Sequence, residues 1–149
     1  MATRLFTLLV LFSFCMSANA QVRNDWSILA TVEFEQIFNE EFNTSEYKPN
    51  FSDEVLALDG KEIVLLGYIV TSMETGEDYE GIVFSKYPFE NCYFCGGAGP
   101  ETVAQIEFDP KAGSFKLGNA YGFKGKLYLN KDDPDKLTFV VKDAELYDF

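Results

Sequence analysis

Cys92 and Cys95 stand three residues apart at the head of a run containing Gly96, Gly97, Gly99, Pro100 and Glu101, and no other side chains in this sequence are so equipped for chemistry. A Cys-x-x-Cys pair supports three: a small disulfide ring, half of a metal site, or a dithiol redox centre. The redox form needs its first thiol at a helix N-terminus, where the dipole lowers the pKa and yields a thiolate. Here the following residues oppose a helix, at about 1 kcal/mol per Gly and about 3 for Pro. The nearest cation in sequence is Lys86. A dedicated oxidoreductase is therefore disfavoured, although successive glycine N–H groups would form an anion-holding nest that helps a thiolate.

Two thiolates at this spacing chelate a metal well, but a closed site needs about four ligands. Glu101 is the natural third ligand, with Glu90, Asn91 or thiols of another chain as further donors. An intrachain zinc site is thus incomplete, whereas copper(I) tolerates an open two-thiolate site. In the third case Cys92 and Cys95 form a disulfide, or remain thiols, and simply shape a Gly-rich loop. Tyr87, Phe89, Tyr93 and Phe94 surround the pair, and either line a ligand groove or belong to the core.

The remaining composition mostly excludes. There is no histidine, so neither a Ser-His-Asp nor a Cys-His arrangement can be assembled and the commonest transition-metal ligand is missing. The chain has 12 Lys+Arg against 24 Asp+Glu, a net charge of -12, which repels phosphates and argues against nucleic acid and anionic lipid as partners. Asn130, Asp132, Asp133 and Asp135 resemble calcium ligands, but Pro134 interrupts them and no Gly or distal Glu completes the loop, so they read as a solvated turn. Glu33, Glu35, Glu40, Glu41 and Glu46 read as a solubilising face. Asn43-Thr44-Ser45 and Asn50-Phe51-Ser52 match a glycosylation sequon by chance.

The elements that must position the cysteines are read from periodicity. Asp25-Trp26-Ser27 starts a short helical turn, and a strand begins near Thr31, where Val32 and Phe34 alternate with Glu33 and Glu35. Residues 39–50 are polar and read as a loop. Residues 52–58 form one capped turn before the Asp59-Gly60 turn signal. The β-branched run of residues 61–71, with Gly67 inside, predicts a curved, buried strand. Residues 81–85 return as the second arm of a hairpin, after a polar turn over residues 73–80. Residues 87–101 are irregular, and a strand restarts at Val103 and ends at Asp109. Residues 121–129 and 136–147 alternate, joined by a loop over residues 130–135. Short strands without an intervening amphipathic helix predict an all-β fold with a short N-terminal helical turn, a small OB-like, partly open β-barrel of five or six strands. The cysteine loop then lies on a rigid scaffold, as functional loops do.

Met1 to Ala20 reads as a secretory signal peptide: Arg4 is the positive region, residues 6–16 are apolar, and Ala18-Asn19-Ala20 precedes cleavage between Ala20 and Gln21. The apolar run is short for a membrane anchor, and Phe14 before Cys15 is too bulky for a lipidation site. Loss of those 20 residues from 149 removes one Arg and no acid, leaving 129 residues with a charge of -13 and only Cys92 and Cys95 as thiols. Residues 21–149 are expected to be one exported β-rich domain, periplasmic or extracellular, without a transmembrane segment in the mature chain.

Three segments carry a family resemblance: Leu58-Asp59-Gly60-Lys61-Glu62-Ile63 running to Gly67-Tyr68-Ile69-Val70, Cys92-Tyr93-Phe94-Cys95-Gly96-Gly97-Ala98-Gly99-Pro100-Glu101, and Gly125-Lys126-Leu127-Tyr128-Leu129-Asn130 with Asp143-Ala144-Glu145-Leu146. From about Trp26 to Tyr147 the chain resembles a family of small exported proteins of unknown function common in Bacteroidetes, distantly similar to a wider bacterial envelope domain. The resemblance implies an OB-like β fold and a periplasmic or outer-envelope setting, and no particular activity. Residues 113–123 depart from the family pattern. Taken together, the sequence predicts a non-enzymatic exported domain whose Cys92/Cys95 loop binds a metal ion, zinc or copper(I), or an envelope partner. The competing expectations are a thiol-disulfide redox protein using the same pair, and a structural or interaction module with a Cys92–Cys95 disulfide.

Overall fold

The computed structural model describes residues 22–40, 43–75, 78–109 and 115–149. Residues 1–20, read as a signal peptide, with Cys15 and the expected Ala20/Gln21 cleavage point, lie outside the described residues. Helical turn α1 (Trp26–Leu29) and strand β1 (Glu33–Asn39) stand where periodicity places them. Asp25 precedes α1 without capping it through its side chain. Its carboxylate instead accepts a hydrogen bond from Val64 N–H (2.7 Å), and its own N–H donates to the Val64 carbonyl (2.8 Å). Trp26 Nε1–H donates to the Leu66 carbonyl at 3.1 Å. Residues 24–26 thereby satisfy backbone groups of strand β3 (Glu62–Thr75) along the half where the next barrel strand does not reach.

Strand β2 (Thr44–Asn50) corrects the expectation of a loop over residues 39–50. It pairs antiparallel with β1, from Glu33↔Asn50 to Asn39↔Thr44, and Asn43 turns the chain at φ 50°. The strand was hidden because it is held by backbone pairing and buries almost nothing, so its side chains are polar on both faces. Pro49 is tolerated because β2 is an edge. Helical turn α2 (Asp53–Leu56) is capped as expected, with Ser52 Oγ accepting from Val55 N–H at 3.4 Å and Val55 fully buried.

The barrel consists of β3, β4 (Asp78–Ser85), β5 (Val103–Ile106), β6 (Ala120–Leu129) and β7 (Phe139–Leu146), in the order β3-β4-β5-β7-β6 and back to β3. All pairs are antiparallel except β5 with β7, which meet in parallel at Gln105↔Val140 and Ile106↔Val141. That short pairing closes the sheet into an OB-like barrel where a partly open one was expected. Bonds from Glu107 N–H to the Val141 carbonyl (2.8 Å) and from Ala144 N–H to the Glu107 carbonyl (3.0 Å) extend the seam. The β3–β4 hairpin is longer than periodicity suggested, with β3 running to Thr75 and β4 starting at Asp78. Gly67 marks the curve of β3: a Cβ there would collide with the Ser85 carbonyl oxygen.

Ile63, Leu65, Ile69, Phe84, Ile106, Phe123, Leu127 and Phe139 fill the interior, and Trp26, Leu29 and Val55 of the helical turns join them. Phe84 meets Phe123 edge to face at 5.2 Å, and Phe108, Phe115 and Tyr121 surround Phe123. Within residues 115–123 the chain is tied to β3 by Gly118 N–H donating to the Ile69 carbonyl and by Tyr68↔Ala120. A second, smaller cluster lies apart from the main core: Val70 and Val83, with Leu137 packed against them, and Cys92.

Candidate functional site

Residues 87–101 leave β4 and return to β5 through three single turns of 3-10 helix, Phe89–Asn91, Tyr93–Cys95 and Pro100–Thr102. The base of the loop is closed by Lys86 N–H donating to the Thr102 carbonyl (2.9 Å) and by Thr102 Oγ1 donating to the Gly99 carbonyl (2.7 Å). Buried Ser85 adds a bond from Tyr87 N–H to its hydroxyl at 3.1 Å. Gly96 is needed at φ 76°, in the left-handed region. At Gly97 a Cβ would come within 2.6 Å of Asn91 Cα, so the loop folds back on itself only because that side chain is missing.

The two cysteines have different surroundings. Cys92 is 0% exposed and packs with Val70, Val83 and Leu137, as a small apolar residue would. Its carbonyl accepts from both Cys95 N–H and Gly97 N–H, each at 3.1 Å. Cys95 is exposed, and both are free thiols. Desolvation raises the Cys95 thiol above its ordinary value, and its hydrogen bond with the Cys92 thiol and the electrostatic influence of Cys92 and Glu90 push the same way. Cys95 is thus protonated at neutral pH.

This arrangement bears on each expected chemistry. The glycine N–H groups offered as an anion nest are spent on carbonyls, Gly96 on Tyr93 and Gly97 on Cys92. The first thiol of the pair is inaccessible and the second is held protonated, the reverse of what a dithiol nucleophile needs. Glu101 folds back so that its carboxylate lies against Gly99. Among the described residues no three His, Cys, Asp or Glu side chains gather to hold a metal ion. Cys92, Cys95 and Glu101 therefore do not gather as a three-ligand set.

What the loop presents outward is aromatic. Phe89 and Phe94 are each 53% exposed and Tyr87 is 38% exposed, so these rings do not belong to the core. Phe94 is held edge to face by Tyr93 at 5.2 Å, and Lys86 Nζ lies 5.3 Å from the Tyr87 ring centroid. Tyr93 is raised above its ordinary phenol value by burial and then by the electrostatic influence of Tyr47 on β2. Within the loop lies an open cleft of about 360 Å³ lined by Tyr87, Pro88, Asn91, Gly97, Ala98, Glu101 and Thr102. Tyr47 was read as part of a loop because its strand was missed, and the alternation of Ser45, Tyr47 and Pro49 opposite Phe38, Gln36 and Phe34 was the available signal.

Asn130 Oδ1 accepts from Asp132 and Asp133 N–H, and its Nδ2 donates to the Asp133 and Lys136 carbonyls, an Asx-type turn in place of a calcium loop. Among the described residues no helix is long and apolar enough to cross a membrane.

Fold and site together define a small all-β barrel carrying a rigid, aromatic-rimmed loop between its second and third strands. Compared with models of protein families, with curated proteins and with solved structures, the chain finds no match in any of the three.

Proposed function

We propose that this protein is an exported, non-enzymatic binding module whose 87–101 loop engages a partner in the bacterial envelope. The observation that carries the reading is the exposure of Tyr87, Phe89 and Phe94 on a loop whose base is hydrogen-bonded and whose Cys92 is buried. Large rings cost little entropy to immobilise, and fixed on a rigid frame they act as interface anchors. The export and envelope setting are supported by the signal-like residues 1–20.

Within this reading the cysteines serve the loop rather than a reaction. The two thiols lie near enough to interact, and in an oxidising compartment their oxidation to a disulfide would fix the loop further. A bound metal ion has less support, because Cys92 is sealed beneath the loop. The test is retention of envelope components on the immobilised protein, compared with a Phe89→Ser/Phe94→Ser variant and a Leu117→Ser control. A component kept by the protein and the control and lost by the double variant supports the proposal. Identical retention by all three contradicts it.

A further inference from the structure

Strands β1 and β2 form a sheet of their own, with no third strand among the described residues. A lone two-stranded sheet is marginal in water unless it is packed or extended. β1 has packing, since it lies beside the Pro100–Thr102 turn and Phe34 rests against the main core. β2 is the outer strand, exposed at every residue from Thr44 to Lys48 and again at Asn50. Phe38 and Tyr47, which share a face of this sheet through the Phe38↔Ser45 and Gln36↔Tyr47 register, are 57% and 47% exposed.

The order of residues along β2, Thr44-Ser45-Glu46-Tyr47-Lys48-Pro49-Asn50, is complementary to itself when reversed. In an antiparallel pair of two copies centred on Tyr47, Glu46 of each copy stands opposite Lys48 of the other, twice over. Centring on Glu46 or on Lys48 would set like charges opposite each other, which destabilises a strand pair. A slip by one residue would turn the Tyr47 face of one copy onto the charged face of the other. One register therefore satisfies both charge and face. An isologous two-fold contact requires such self-matching.

We propose that β2 is a self-association edge, through which two copies of this chain join antiparallel into a four-stranded sheet across a two-fold axis. The two Tyr47 rings become cross-strand neighbours flanked by Phe38, and on the opposite face Lys48 lies between Glu35 of its own chain and Glu46 of the second copy.

Sedimentation of the purified protein across the micromolar to millimolar range tests this. The expected result is a monomer–dimer equilibrium that weakens about ten-fold in Glu46→Lys or Lys48→Glu alone, where both symmetric pairs become repulsive. The double variant Glu46→Lys/Lys48→Glu, with Glu35→Lys added so that position 48 still faces an opposite charge on β1, exchanges the charges and should restore wild-type association. It also controls for fold, together with Trp26 fluorescence. A monomer at every concentration would overturn the proposal and show Lys48 and Pro49 to be guards of a solvent-facing edge. A dimer indifferent to the charge swaps would overturn it as well, by placing the contact elsewhere.

Discussion

Replacing Cys92 and Cys95 one at a time separates an anchored loop from a bonded or metal-bridged pair. Cys92 is fully buried against Val70, Val83 and Leu137. Cys92→Ser puts a hydroxyl into that apolar pocket, at a cost of about 1–3 kcal/mol. Cys92→Ala loses about one methylene's worth of burial, about 0.8 kcal/mol, plus the small cavity left behind. Cys95 is exposed, so Cys95→Ser should stay within about 0.5 kcal/mol of wild type. The assay is urea unfolding followed by Trp26 fluorescence, with reductant and chelator present. A loss of about 2 kcal/mol moves the midpoint by about 1 M, well outside the spread expected for Cys95→Ser. Repeating the series without reductant reads the other state. A disulfide there closes a four-residue ring worth about 2 kcal/mol on chain entropy, and either variant would then lose it equally. Equal losses with reductant and chelator present would refute the anchoring of the loop by Cys92.

Four further outcomes follow from the same geometry. Because the Cys95 thiol is raised in the folded protein, its proton is held more tightly there than in the unfolded chain, so its contribution is fully present below the unfolded thiol value of about 8.5 and fades as pH rises through the folded value. Stability should therefore fall in that alkaline window in wild type and be flat in Cys95→Ser, and iodoacetamide labelling of Cys95 should titrate above the range of a free thiol. Asp25→Ala removes the carboxylate that accepts from Val64 N–H and should cost about 2 kcal/mol in thermal or urea unfolding. Gly97→Ala forces a Cβ against the Asn91 backbone and should destabilise by about 1–3 kcal/mol, while Gly60→Ala, where nothing is within 4 Å, is limited to the strain of its positive φ. Native mass spectrometry after exposure to zinc or copper(I) should find no stoichiometric metal whose retention depends on Cys92 and Glu101 together.

Much of the barrel was legible because its strands obey a simple period. Ile63, Leu65 and Ile69 point inward along β3, and Phe123, Leu127 and Leu129 do so along β6, so alternation and β-branching marked them. The Asp59-Gly60 and 130–135 turns were marked by residues that need special backbone angles or hold Asx turns. β2 was not legible, since Ser45, Glu46 and Lys48 are exposed and carry no pattern of burial. Closure of the barrel depends on two parallel residue pairs between β5 and β7, a long-range meeting that local sequence does not encode. At the loop, the spacing of Cys92 and Cys95 announced the site but not its asymmetry. Which thiol is buried is decided by Val70 and Val83, on strands that precede the loop. The aromatic residues were ambiguous for the same reason, because Phe89 and Phe94 look like core residues until a closed barrel leaves them outside.

A photo-crosslinking residue placed at Phe94, in cells that make the protein, tests the recognition role of the loop, with the same residue at exposed Leu117 as the comparison. A discrete crosslinked species from position 94, absent from position 117 and lost when Phe89→Ser is added, is the result expected of an aromatic docking loop. Crosslinks that are absent, or that are the same from both positions and indifferent to Phe89→Ser, would contradict it.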